Sequence, residues 1–225
     1  LIWPLTEHVL EQAIHQASVW RKDDLDLRVA VNIAGPCLLD HRLADTLADL
    51  LRRAQLPADR LAVELTEESV IGEPQAAIQA LLALRSLGVQ TLALDDFGTG
   101  NSSLTRLRDL PFTELKIDRS FVVDAGIDGD PTLIAAIADL AHKFGLDVVA
   151  EGIEDGATWQ RMATLGCDIG QGYWLSRPLR PENVPAWMRE HGSEPQPPSR
   201  AAVEKQHVRQ GPNRHDRIPH AAAVE

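Results

Sequence analysis

Two adjacent carboxylates, Asp95 and Asp96, close an apolar run and are followed at once by a turn containing Gly98 and Gly100. Over 92–104 the chain reads LALDDFGTGNSSL, the pattern of a strand that delivers charge to a loop. Such strand ends carry chemistry in α/β folds, because the sheet holds the side chain rigidly while the loop can close over a ligand. The structural alternative is an Asp helix cap with a plain glycine turn. Five more polar residues stand in or just past short apolar runs: Asn32, Glu64, Lys116, Glu151 and Gln171. Carboxylates gathered in that number repel one another and are costly to bury without cations. A divalent metal resolves the conflict, and oxygen donors from Asp, Glu and Asn suit Mg²⁺ or Mn²⁺ rather than zinc. Adjacent Asp residues suit two ions, and a two-metal site polarises a phosphoryl oxygen and lowers the pKa of a bound water.

The elements that must hold these residues follow from apolar spacing. Helices are expected from Pro4 to about Trp20 and over 40–54, 74–87, 131–144, 155–165 and 181–190, with Gly88, Gly145 and Gly166 as stops. Strands are expected over 27–33, 61–65, 89–94, 114–117, 147–150 and 167–169, with only a short helical turn between the third and fourth. Regular alternation argues for a parallel sheet with helical crossovers, either doubly wound or closed as a barrel. Polar residues at every strand end favour a TIM-like (β/α) barrel, whose site collects residues from many strand ends on one face. Six strands stand where a barrel has eight, and a helix leads with no strand before it, so the barrel is expected to be N-terminally incomplete.

The barrel is assigned to 1–190, and 191–225 to a disordered tail, because the composition there turns to Pro, Gln, Arg and His with few large apolar residues. His207, His215 and His220 in that tail match no metal-binding spacing and read as solvated. With 22 Lys and Arg against 33 Asp and Glu, the net charge of −11 argues against a nucleic-acid polymer as partner. A small phosphate ligand held through metal ions remains compatible with it. Cys37 and Cys167, distant and without a CxxC, read as reduced, buried thiols. No run approaches about 18 apolar residues, and the expected location is cytoplasmic. A first residue of Leu1 rather than Met suggests a piece of a longer protein.

Five motifs in order carry a family resemblance: ELTEES at 64–69, DDFGTGNSS at 95–103, KIDRSF at 116–121, AEGIE at 150–154 and QGY at 171–173. The chain resembles the EAL-domain cyclic-di-GMP phosphodiesterases from Leu1 to about Arg189. The resemblance implies a TIM-like barrel that hydrolyses cyclic di-GMP to linear pGpG with two Mg²⁺ or Mn²⁺ ions. It implies Asn32, Glu64, Asp95 and Glu151 as metal ligands, with Asp96 on the second ion. Lys116 is implied to orient or activate the attacking water, and Gln171 to support the water and ligand network. Glu67, Glu154 and Asp118 are expected beside the site, holding the 96–103 loop and nearby backbone, with purely structural roles as the alternative. That loop is expected to link metal occupancy to closure or dimer contact. A homodimer is also implied, and the sequence is compatible with an upstream regulatory domain without identifying one.

Two departures stand out. Asn101 occupies a place where the family most often has Tyr, and the Glu-Ala-Leu strand that names the family, with its metal-binding Glu, does not occur in the 225 residues. This stretch by itself is therefore expected to hydrolyse cyclic di-GMP poorly or not at all. The competing functions are a degenerate receptor that binds the nucleotide or a partner without hydrolysis, and a metal-dependent barrel enzyme acting on another phosphate ester.

Overall fold

Leu10, Ile14 and Ala17 recur at helical spacing and form the buried stripe of α1 (Ile2–Lys22). A computed structural model of the protein describes residues 1–98, 109–126 and 129–191. In it α1 lies against β1 (Val29–Asn32) and α3 (Arg42–Ala54), and the short α2 (Gly35–Leu38) falls between those two elements. The chain continues through β2 (Leu61–Thr66), α4 (Glu67–Ile71), α5 (Pro74–Ser86) and β3 (Thr91–Phe97). After β4 (Glu114–Ile117) come α6 (Arg119–Asp124), α7 (Thr132–Lys143) and β5 (Asp147–Ala150). It then runs through α8 (Gly156–Thr164), β6 (Ile169–Gly170) and α9 (Val184–His191).

All six strands are parallel and lie side by side in sequence order, β1 to β6. A doubly wound sheet reverses its order at a switch point, whereas here each strand adds on the same side of the last. That order selects the barrel over the doubly wound alternative. The curled sheet is a half-barrel, an incomplete TIM-like barrel with helices packed outside it.

Period-two alternation separates the two faces of the sheet. Leu61, Val63, Leu65, Leu92, Leu94, Leu115, Ile117 and Val148 join the apolar core shared with the helices, together with Leu10, Leu47, Leu81 and Ile134. The alternate positions are small or polar: Ala62 and Glu64 on β2, Ala93 and Asp95 on β3, Glu114 and Lys116 on β4. On β2, β3 and β4 the inner face is therefore lined by small or charged residues. At the start of the strands Arg28 donates to Thr91 Oγ1 at 2.5 Å and to Glu114 at 3.2 Å, so this end of the inner face is tied by a polar network. Leu92 is fully buried on the helix side. Leu92→Ala is expected to lower stability by about 2–5 kcal/mol in urea unfolding, through lost burial and the cavity left behind.

The structure alters several expected boundaries. The third strand does not stop at Leu94 but runs on through both carboxylates to Phe97, and β6 is only Ile169–Gly170. Helices α2, α4 and α6 were not anticipated, since four to six residues are too few to display a helical period. Cys37 and Cys167 are free and buried, as expected. Burial and the neighbouring Asp168 push the Cys167 thiol up to about 12. Among the described residues no helix is long and apolar enough to cross a membrane. The turn expected between the third and fourth strands falls mostly on 99–108, outside the described residues; of the tail expected over 191–225, His191 instead closes α9 and the rest lies outside the described residues.

Candidate active site

Lys116 sits mid-strand between Leu115 and Ile117 and is 4% exposed. Its ammonium lies 2.7 Å from Glu151 Oε1, 3.0 Å from Glu64 Oε2 and 3.1 Å from Asp95 Oδ1. Four strands thus converge on one cation: β2, β3 and β4 carry three of these residues, and Glu151 follows β5 directly. Burial opposes the charge on Lys116, but hydrogen bonds to Glu151 and Glu64 and their charges outweigh it and hold the ammonium above its ordinary pKa. Among these carboxylates Lys116 is therefore held as an ammonium, a hydrogen-bond donor. Burial raises the Glu151 carboxyl; Lys116 offsets part of this, while the charges of Asp95 and Glu64 add to it.

Neighbouring residues on a regular strand point to opposite faces, so adjacent Asp95 and Asp96 should not meet at one site. A bulge changes this. Leu94 pairs with Leu115, but the next pair is Phe97 with Ile117, so two residues of β3 stand against Lys116 alone. Asp96 adopts a left-handed φ of 56°, uncommon for a residue other than glycine but best tolerated by Asn and Asp. Its N–H donates to Asp95 Oδ1 at 3.1 Å. The result is that carboxylate oxygens of Asp95, Asp96 and Glu151 lie within 4.8 Å of one another. Burial, then the charges of Asp95 and Asp118, raise the Asp96 carboxyl above its ordinary range.

This donor set consists only of carboxylate oxygens, which suits a hard divalent cation. Two of its three carboxyls sit above their ordinary pKa, through burial first and the charges of neighbouring carboxylates second. The cluster can accept a metal ion on both counts. The bulge was invisible to sequence periodicity, which set both acids beyond the end of the strand. The only local sign of it is that Asp tolerates the left-handed region.

The other candidates are spread around this cluster. Asn32 ends the edge strand β1, exposed and in register with Glu64. Gln171, also exposed, follows β6; its N–H donates to the Ala150 carbonyl at 2.8 Å and its carbonyl accepts from the Ile153 N–H at 3.0 Å. Glu67 is the first residue of α4. Asp118 caps α6 by accepting from the Ser120 N–H at 2.9 Å, and bonds from Ser120 lower its pKa. Glu154, exposed, accepts from Arg119 at 2.6 Å. The structure therefore joins Glu64, Asp95, Asp96, Lys116 and Glu151. Glu67, Asp118 and Glu154 lie at the starts of helices or in loops, and Asn32 and Gln171 at the two edges of the sheet. Asn101 lies outside the described residues.

Residues 1–178 match the family model of the EAL domain. Cyclic di-GMP phosphodiesterase PA2567 of Pseudomonas aeruginosa is 37% identical over 190 residues, which cover 84% of this chain and 32% of that protein. The chain thus spans about a third of that relative's length. Among solved structures, the phosphodiesterase PaMucR in complex with c-di-GMP superposes with a TM-score of 0.76 at 35% identity, covering 82% of this chain and 75% of that one. The EAL domain of Mycobacterium smegmatis DcpA gives a TM-score of 0.76 at 32% identity, covering 81% and 82%. Matched along most of its length by the family model, by curated relatives and by solved structures, the chain belongs to the EAL domain family.

Proposed function

We propose that the inner face at the strand ends is the hydrolytic centre of a metal-dependent phosphodiesterase that opens cyclic di-GMP to linear pGpG. The observation that carries this is the clustering of the Asp95, Asp96 and Glu151 oxygens within 4.8 Å, beside a Lys116 buried among three carboxylates. The relatives' names supply the substrate: one is a cyclic di-GMP phosphodiesterase and another a phosphodiesterase in complex with c-di-GMP.

Two Mg²⁺ or Mn²⁺ ions would be held by Asn32, Glu64, Asp95 and Glu151, with Asp96 on the second. When bound, the ions polarise the phosphoryl group and make a water nucleophilic near neutral pH. The protein's own part is to orient and neutralise. Lys116, set among Glu64, Asp95 and Glu151, orients or activates the attacking water and steadies charge growing on the phosphate. Gln171, on the far edge, supports the same network. The resemblance extends the proposal to a cytoplasmic homodimer, tested by sedimentation.

The deciding experiment is conversion of cyclic di-GMP by the full-length gene product, followed by chromatography with Mn²⁺ and with EDTA. Mn²⁺-dependent appearance of pGpG is expected. Tight binding without conversion would assign a receptor instead, and turnover of other phosphodiesters in preference to cyclic di-GMP would overturn the substrate.

A further inference from the structure

The three carboxylates come from two separate places, the β3 bulge and the residue after β5, which Lys116 bridges from inside the face. The same turn of α6 touches both. Phe121 lies under Gly98, two residues past Asp96: a Cβ added at Gly98 would stand 2.7 Å from the ring carbon Cε2. Arg119 lies across Gly152, the residue after Glu151, where an added Cβ would fall inside contact distance of its Cβ, Cγ and Cδ. Both glycines have positive φ, 101° and 71°, so each segment turns sharply at the point where α6 meets it. Beyond Gly152, Arg119 Nη2 reaches Glu154 Oε1 at 2.6 Å. The turn is itself fixed from behind, because Asp118 caps it and Lys116 lies two residues before the cap.

We propose that Arg119 and Phe121 are positioning residues that set the separation of the Asp95–Asp96 bulge from Glu151. The proposal rests on the reading of those three carboxylates as a metal site. Phe121 braces the bulge side through Gly98, and Arg119 clamps the Glu151 side through Gly152 and Glu154. Both act through Gly98, Gly152 and Glu154 rather than as members of the carboxylate cluster. Groups that orient metal ligands from behind typically contribute 10–100-fold in metal affinity.

The test is Mn²⁺ binding to the full-length gene product by calorimetry, with thermal unfolding in EDTA measured alongside. Arg119 is largely exposed, so Arg119→Ala is expected to leave the unfolding midpoint unchanged while weakening Mn²⁺ binding about tenfold. Arg119→Lys keeps the aliphatic stem and the charge and is expected to retain near wild-type affinity. Phe121→Leu keeps apolar bulk without the ring and is expected to weaken Mn²⁺ binding as well. An Arg119→Ala protein that binds Mn²⁺ as tightly as wild type overturns the proposal, as does a loss of affinity matched by a loss of stability. A wild-type protein that takes up no Mn²⁺ overturns the metal reading itself, a result distinct from equal binding by wild type and variant.

Discussion

Replacing Lys116 with Met is expected to lower turnover of cyclic di-GMP by about a hundredfold or more and to destabilise the metal-free protein by about 3–5 kcal/mol. The kinetic loss follows from removing the donor that orients water and substrate. The stability loss has a separate origin. Glu64, Asp95 and Glu151 all lie within 3.1 Å of one ammonium, with side chains 13–18% exposed. Without the ammonium they face each other with no cation, and a buried ion pair broken from one side costs more than the intact pair contributes. The sign of the pH dependence can be fixed in advance. The Glu151 carboxyl is already above its ordinary range, and loss of Lys116 drives it further up, so the folded variant binds more protons than the unfolded chain above the usual carboxylate pKa. Stability of the variant must then fall as pH rises through that window, and the deficit must be smaller at pH 5 than at pH 8. Urea unfolding in EDTA at both values measures this. A Lys116→Met protein as stable as wild type at pH 8 would show that the carboxylates do not depend on this cation. Adding Asp95→Asn to Lys116→Met is expected to recover part of the lost stability, since it removes one of the repelling charges.

Asp95→Asn in the otherwise wild-type chain is expected to weaken metal binding without lowering the stability of the metal-free protein. Asp95 belongs to the three-oxygen cluster and also touches Lys116 at 3.1 Å. At an effective dielectric of about 20, one unit charge about 4 Å from another is worth about 4 kcal/mol, so its loss beside a divalent ion should weaken binding by about a hundredfold or more. Turnover at limiting metal should fall with it. The metal-free protein, by contrast, has more acids than Lys116 can neutralise, so removing one charge is expected to leave stability unchanged or slightly raised. Calorimetric Mn²⁺ titration and thermal unfolding in EDTA separate the two effects. Unchanged turnover and affinity would remove Asp95 from the site, whereas a drop in both affinity and metal-free stability would mark it as structural.

Much of the architecture is written locally. On β2, Leu61, Val63 and Leu65 alternate with Ala62 and Glu64, and this period-two signal depends on residue type alone, so both the strand and the inward aim of Glu64 are legible. The helical stripes of α1 and α3 and the glycine stops are legible for the same reason. Five motifs in fixed order were enough for the family, and polar residues at successive strand ends were enough to expect a shared acidic face. Tertiary structure decided what depends on pairing between strands. The choice of barrel over doubly wound sheet rests on neighbour order, which no single strand encodes. Lys116 meets Glu64 across 52 residues of chain, and only the register of β2, β3 and β4 makes that contact. The bulge is the clearest case. Asp95 and Asp96 alternate faces in any regular strand, and they share one site only because β3 carries an extra residue opposite Lys116, a misalignment defined by the neighbouring strand rather than by the acids themselves.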